Sequence, residues 1–156
     1  MPAGSEPAPA PRVPELPRTW RPLGPRIVAT VLSSGMLVIL ATAWISLGAE
    51  TRAKFTPFQI GTIVCFIILG GVVLHALTRS RVTATRDGLT VVNGYRARTF
   101  AWAEVVAVHL PPGAPWVTLD LSDGRTVSAM GIQGSDGERS RAAARDLRRL
   151  ADELTR

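Results

Sequence analysis

Cysteine and histidine are almost absent from this chain of 156 residues, which has one cysteine and two histidines. A single cysteine cannot form an intramolecular disulfide, and so few Cys and His side chains leave no credible site for a metal such as zinc. Cys65 also lies inside a long apolar stretch, where a free cysteine packs as a small hydrophobic residue. The sequence therefore predicts no metal, no cofactor and no disulfide framework.

Charged residues are also scarce, at 19% of the chain, and they are missing from two long stretches. Residues 27–47 and 58–77 contain no Asp, Glu, Lys or Arg, and each stretch is long enough to cross the hydrocarbon core of a bilayer as a helix. This pattern excludes a simple soluble protein. It also excludes a large enzyme, because only about 75 residues follow the second stretch and a domain of that size has a modest core.

The two apolar stretches are joined by the short segment 48–57, so we expect a transmembrane helical hairpin with a small extracytoplasmic loop. Arginines flank the outer ends of both stretches, and the positive-inside rule then places both termini in the cytoplasm. Ala41 and Ala43 have the spacing of a signal-peptide cleavage site, but the Pro-rich segment before the first stretch is too long for a signal peptide. Two spans are therefore predicted.

The N-terminal segment, residues 1–26, is rich in proline and alanine and has few apolar side chains. Such a composition cannot build a core, so we expect a disordered tail in the cytoplasm. A docking peptide for a proline-recognising partner is the alternative interpretation.

Residues 82–156 have the pattern of a small folded domain. Short strands are separated by tight turns, of which Asp87-Gly88 and Asn93-Gly94 are strong signals for two-residue hairpins. In the simplest pairing across these turns Leu89 and Arg98 share one face of the sheet, unless one of the turns carries a bulge. The sequence therefore predicts an antiparallel meander whose register stays open.

The last segment of the chain predicts one amphipathic helix. A capping-box pattern runs from Ser135 to Glu138, and Asp136 is an alternative cap. Four apolar side chains then repeat at helical spacing: Leu147, Leu150, Ala151 and Leu154. We expect this apolar stripe to cover an open end of the sheet.

A meander of short strands closed by one C-terminal helix is the pattern of pleckstrin-homology-like (PH-like) domains. Two segments sharpen the comparison: residues 96–105 contain a Trp-x-Glu-Val step, and residues 119–125 contain an Asp-Gly-Arg hairpin. With two preceding spans, the chain resembles the small bacterial PH-domain membrane proteins, and among them the actinobacterial group that includes low molecular weight protein antigen 6. The resemblance implies a membrane α-helical hairpin followed by an α+β PH-like split β-barrel with a C-terminal capping helix. It places this domain at the cytoplasmic face of a bacterial plasma membrane and implies no catalytic activity.

Patterns for catalysis and for nucleic-acid binding are weak. His109 ends a predicted strand. No Ser or Cys stands in a nucleophile motif, so His109 has no partner that it could activate as a general base. Asp120 and Asp123 can pair as acid and base, but a cross-strand contact explains the first and a tight turn explains the second. Residues 82–156 carry ten basic and nine acidic side chains, so they lack the excess positive charge that nucleic acid requires. We predict a protein that is neither an enzyme nor a nucleic-acid binder.

Four arginines are the candidate contacts to lipid headgroups. Arg79 and Arg81 follow the second span and lie at the predicted bilayer surface, whereas Arg96 and Arg98 share one face of a strand. Anionic headgroups attract such side chains by ~1 kcal/mol each. The alternative interpretation is solvated charge that follows the positive-inside bias.

The predicted function is a non-enzymatic, membrane-anchored adaptor that docks a protein partner at the cytoplasmic face of the plasma membrane. Trp102 and Trp116 are either core or rim packing residues or the aromatic contacts to that partner. Two other hypotheses are anionic-lipid sensing by the same domain and service as an accessory subunit of a membrane transporter. The lipid bilayer is the partner common to all three.

Overall fold

The computed structural model describes residues 15–155. Two short 3-10 turns, Trp102–Glu104 and Gly134–Asp136, stand among its longer elements. The helices and strands are, in chain order, β1 (Arg18–Trp20), α1 (Gly24–Ser46), α2 (Ala49–Ala53), α3 (Pro57–Arg79), β2 (Arg81–Ala84), β3 (Leu89–Asn93), β4 (Arg96–Phe100), β5 (Val105–His109), β6 (Trp116–Leu121), β7 (Thr126–Gln133) and α4 (Glu138–Leu154).

Within residues 15–155, α1 and α3 are the two helices that are long and apolar enough to cross a membrane. Almost all of their side chains are exposed, whereas the core helix of a soluble protein buries most of its surface. Helix α1 begins three residues before the predicted stretch, and α3 continues two residues beyond it to Arg79. The start of α3 is well defined, because Thr56 and Gln59 form a reciprocal capping box ahead of the helix interior.

In the part of the chain that the structure describes, seven strands form two antiparallel sheets, ordered β1-β2-β3-β4 and β5-β6-β7. The sheets are not closed into a barrel, which corrects the predicted split β-barrel. Among the described residues no strand of one sheet pairs with a strand of the other, and the chain passes from β4 to β5 through the turn Trp102–Glu104. Strand β7 packs across β2 and β3 and forms no ladder with them. The Asn93 side chain joins β3 to β7 by donating to the Ser128 carbonyl and accepting from the Met130 N–H.

The structure differs from the predicted tail over residues 18–26, where β1 and the first turn of α1 lie. Strand β1 pairs with residues 82–84 of β2, and the hydroxyls of Thr19 and Thr83 are 3.1 Å apart. Three residues are too few to show a periodic pattern, which is why the sequence did not reveal this strand. The helical hairpin is thus inserted between β1 and β2; residues 1–14 of the predicted tail lie outside the described residues.

The pairing of β3 with β4 determines which of their residues share a face of the sheet. Leu89 lies opposite Phe100 and Val91 lies opposite Arg98, with no shift along the pairing of β3 with β4. Leu89 and Arg98 therefore do share a face, and neither of the two tight turns carries a bulge. The irregularities lie in the second sheet, where β5 has an extra residue opposite β6 and β7 has extra residues opposite β6.

Helix α4 covers one end of the core, as its apolar stripe predicts: Leu147 and Leu150 are fully buried. Its start differs from the prediction, because α4 begins at Glu138 after Gly137, which has a positive φ of 61°. No side chain caps α4, so the predicted capping box does not form. Asp136 is used elsewhere, at the start of α1.

Candidate functional site

The hairpin and the sheets meet at a short, packed junction. Only Ser80 separates α3 from β2; it is buried, and its hydroxyl accepts a hydrogen bond from the Gly94 N–H at 3.1 Å. Gly94 has a φ of 59°, and a Cβ there would lie 3.5 Å from the Cβ of Ala76 in α3. The next residue, Tyr95, places its hydroxyl 2.9 Å from Nδ1 of His75. The turn between β3 and β4 is thereby held against the last turns of α3.

A carboxylate from near the end of the chain caps the first apolar helix. Asp136 accepts hydrogen bonds from the N–H groups of Leu23 and Gly24 at 2.9 and 2.8 Å. The first amides of a helix have no partner inside it, and its dipole favours a negative charge at this end. In the same first turn of α1, Arg26 donates through Nε to the Thr78 carbonyl of α3 at 3.4 Å. The hairpin is therefore tied to the domain at both of its ends.

Replacing Asp136 with alanine should lower the free energy of unfolding by about 1–2 kcal/mol, because two amides of α1 lose their acceptors. Asp136→Asn keeps one acceptor oxygen and should lose about half as much. Denaturant titration of the full chain in detergent micelles measures both changes. Asp152→Ala on the exposed side of α4 is the control and should stay within about 0.5 kcal/mol. Equal losses for Asp136→Ala and Asp152→Ala would contradict the capping role.

A groove of about 520 Å³ opens between α3 and the edge of the domain. Val73 and Leu77 of α3 line one side, and Val91, Val127 and Met130 of the two sheets line the other. The groove exists because the sheets do not close: among the described strands β4 pairs with β3 alone, and β7 passes beneath. This space, the α3–β4 groove, is mainly apolar and lies where the domain meets the hairpin.

Arg96 and Arg98 extend into the α3–β4 groove from β4. They lie opposite Asn93 and Val91, so they share the face of the sheet on which Phe100 is buried. Neither guanidinium forms an ion pair with another described residue. Two exposed positive charges lie beside an apolar wall and have no counter-charge among the described residues, so the groove favours an anionic ligand.

Arg79 and Arg81 occupy the junction and do not line the α3–β4 groove. The guanidinium of Arg79 lies over the ring of Tyr95, 5.6 Å from its centre. Arg81 opens β2 and is half-buried. The structure thus separates the four predicted headgroup contacts into a pair at the junction and a pair in the groove.

The two candidate aromatic residues have different environments. Trp102 is 4% exposed and donates its indole N–H to the Thr85 carbonyl at 2.9 Å, so it is a core residue. Trp116 is half-buried at the start of β6. A partner on the surface can therefore reach Trp116 but not Trp102.

His109 and Asp120, which sequence analysis treated separately, are neighbours on β5 and β6. Nε2 of His109 lies 2.9 Å from one carboxylate oxygen of Asp120, and Thr126 donates to the other at 3.0 Å. Both side chains are about half exposed, at 52% and 43%. This is a cross-strand hydrogen bond on the outer face of the sheet, and it stabilises the pairing of the two strands.

Asp123 holds its own turn together. Its carboxylate accepts hydrogen bonds from the backbone N–H of Arg125 at 3.0 Å and from the Arg125 guanidinium at 2.6 Å. These bonds, the backbone one first, lower the pKa of the Asp123 carboxyl below its ordinary value, so this residue makes a poor general acid. Within residues 15–155 no group of three or more His, Cys, Asp and Glu side chains is placed to hold a metal ion.

Comparison with known families agrees with this architecture. Residues 79–150 match the family model of a bacterial PH domain. The matched segment begins at the last residue of α3 and ends inside α4, so it includes β2 to β7 and leaves out β1. No curated protein and no solved structure matches the chain. The chain therefore carries a bacterial PH-like domain, which follows two helices long and apolar enough to span a membrane.

Proposed function

We propose that this protein is a membrane-anchored PH-like module that binds the headgroup of an anionic phospholipid in the α3–β4 groove. One observation carries the proposal: Arg96 and Arg98 extend into a groove whose opposite wall is the end of α3. PH domains are generally non-catalytic, so a binding role is the natural use of such a site.

The chemistry of the groove suits a phospholipid better than a small inorganic anion. Guanidinium groups bind phosphate oxygens through paired hydrogen bonds, and each basic residue near an anionic leaflet gains about 1 kcal/mol. The apolar wall of Val73 and Leu77 belongs to the helix proposed to leave the bilayer at this point. An acyl chain beside α3 and a phosphate at the arginines would fill both parts of the groove.

The proposed location is the cytoplasmic face of a bacterial plasma membrane, with two spans and both termini in the cytoplasm. The pairing of β1 with β2 supports a hairpin whose two ends lie on one side, because these strands flank it. The excess of arginine at those ends supports the cytoplasmic side. The grouping with the actinobacterial antigen 6 proteins also stays a proposal.

A charge-reversal pair tests the lipid site. Arg96→Glu with Arg98→Glu should reduce the retention of phosphatidylglycerol by the detergent-solubilised full chain about tenfold relative to phosphatidylcholine, because two attractive contacts become repulsive. Native mass spectrometry, which counts the lipids bound to each molecule, measures the ratio.

A second pair of reversals, Arg86→Glu with Arg149→Glu, changes the net charge equally at the other end of the domain. Trp102 donates to the carbonyl of Thr85 and accepts from Thr155, so the turn that holds Arg86 and the end of α4 lie together there. This control should retain phosphatidylglycerol as the unchanged protein does. If both pairs reduce retention equally, net charge explains the effect and the proposed site is wrong.

Docking of a protein partner, the function predicted from the sequence, is a second candidate. The observation in its favour is that β4 is an edge strand, whose side away from β3 pairs with no described strand. An extended segment of a partner can add to such an edge. The burial of Trp102 removes one of its two proposed aromatic contacts. The transporter-subunit hypothesis rests on the hairpin and stays a prediction.

A further inference from the structure

A second basic cavity lies on another side of the domain, between β1, the first turn of α1 and the start of α4. It encloses about 440 Å³, within the range of small-molecule sites. Gly131 and Ile132 of β7 line part of it. We call it the β1–α4 cavity; none of its lining residues belongs to the α3–β4 groove.

The charges in the β1–α4 cavity do not balance. Four arginines and two aspartates line it: Arg18, Arg21, Arg26, Arg139, Asp136 and Asp146. Both aspartates already have partners. Asp146 forms an ion pair with Arg18 at 3.0 Å, and the two oxygens of Asp136 accept hydrogen bonds from the N–H groups at the start of α1.

Three guanidinium groups have no counter-charge among the described residues, although Nε of Arg26 also donates to the Thr78 carbonyl. Arg21, Arg26 and Arg139 form no ion pair with another described residue, although all three line the same cavity. Arg21 and Arg139 are exposed, so a ligand can reach them from solvent. Arg26 lies in the first turn of α1, at the level where the proposed span enters the bilayer.

We propose that the β1–α4 cavity binds a phosphate group, as a phosphate monoester or diester. Planar guanidinium groups from the segment after β1, from α1 and from α4 can bind phosphate oxygens through paired hydrogen bonds, a geometry that suits arginine better than lysine. The N-terminus of α1 does not supply the binding, because Asp136 already occupies its amides. The phosphate comes either from a lipid headgroup or from a soluble phosphate compound.

The test uses the full chain in nanodiscs of phosphatidylcholine, with inorganic pyrophosphate as the soluble probe, measured by titration calorimetry. A parallel arm uses detergent-solubilised chain with phosphatidylglycerol, measured by native mass spectrometry. We expect Arg21→Ala with Arg139→Ala to weaken pyrophosphate binding at least about tenfold, or to remove one of the phosphatidylglycerol molecules counted on each chain, because two of three charge-assisted contacts are lost. If the substitutions weaken the binding of pyrophosphate, the ligand is a soluble phosphate compound. If they reduce only the retention of phosphatidylglycerol, the ligand is a lipid headgroup.

Two further pairs of substitutions serve as controls for charge and for hydrogen-bond geometry. Arg86→Ala with Arg149→Ala removes the same charge at two exposed residues that do not line the cavity and should change neither arm. Arg21→Lys with Arg139→Lys keeps the charge and should show an intermediate loss, since lysine does not form the paired hydrogen bonds. If Arg21→Ala with Arg139→Ala leaves both arms unchanged, the proposal is overturned. Because Arg96 and Arg98 stay intact in every variant, this result is independent of the α3–β4 groove.

Discussion

Replacing Gly131 with alanine is expected to destabilise the domain by about 3 kcal/mol or more. A Cβ at this position would lie 2.5 Å from the carbonyl carbon of Arg81 and 2.6 Å from the backbone nitrogen of Val82. Extra atoms in a packed core usually cost about 1–3 kcal/mol when neighbouring side chains can shift. Here the obstacle is the backbone of β2, which cannot rotate away, so the upper end of that range is the minimum expected.

Denaturant titration of the full chain in detergent measures the effect, and Gly48→Ala is the matched control. A Cβ at Gly48 would have no atom within 4 Å, so the same substitution there should change the free energy of unfolding by less than about 0.5 kcal/mol. A loss below about 1 kcal/mol for Gly131→Ala would contradict the close approach of β7 to β2.

The position of Gly131 matters because two parts of the protein depend on it. Strand β2 continues directly from α3, so the contact of β7 with β2 connects the second sheet to the hairpin. Gly131 also lines the β1–α4 cavity. We therefore expect Gly131→Ala to reduce phosphate binding together with stability, whereas Arg21→Ala with Arg139→Ala should reduce binding alone.

The parts of the fold that local sequence determines were predictable. Turns at the Asp87-Gly88 and Asn93-Gly94 signals do join β2 to β3 and β3 to β4. Gly94 has the positive φ that such a turn requires, but it lies one position earlier in the turn than predicted, because Asn93 pairs with Arg96. Gly88 has no positive φ; a Cβ there would instead collide with the Phe100 carbonyl oxygen. The apolar stripe of α4 predicts its buried face, since its spacing repeats within one helix. The two apolar helices follow from length and composition alone.

The parts that depend on distant contacts were not predictable. Strand β1 is three residues long, and its partner β2 follows only after the whole hairpin. Asp136 stands in a segment with a plausible capping signal for α4, yet it caps α1, and no local pattern distinguishes the two helices. Barrel closure likewise depends on how β4 and β7 meet the other sheet, which the strand pattern does not encode.

The candidate sites divide in the same way. Arg96 and Arg98 were found because two residues spaced by two share a face of a strand, and the structure places both in one groove. Arg21 and Arg139 come from opposite ends of the chain, and only the docking of α4 beside β1 brings them to one cavity. A signal for Arg21 was present in its position ahead of an apolar helix, but that position equally satisfies the positive-inside bias.

Replacing Leu147 with alanine should lower the free energy of unfolding by about 2–5 kcal/mol, the usual cost of a cavity left by a large buried side chain. Leu147 is fully buried in the core that α4 shares with both sheets. The neighbouring substitution Arg149→Ala, at an exposed position of the same helix, should change the value by less than about 0.5 kcal/mol.

We expect Leu147→Ala also to disturb the proposed phosphate site. Helix α4 carries Asp146, which pairs with Arg18 of β1, and Arg139, which lines the β1–α4 cavity. Partial undocking of α4 should therefore raise amide hydrogen exchange in residues 138–154 and in β1 together, while α1 and α3 stay protected. If β1 keeps its protection while α4 loses it, the two elements are not coupled through Asp146, and the cavity must be formed by β1 and α1 without α4.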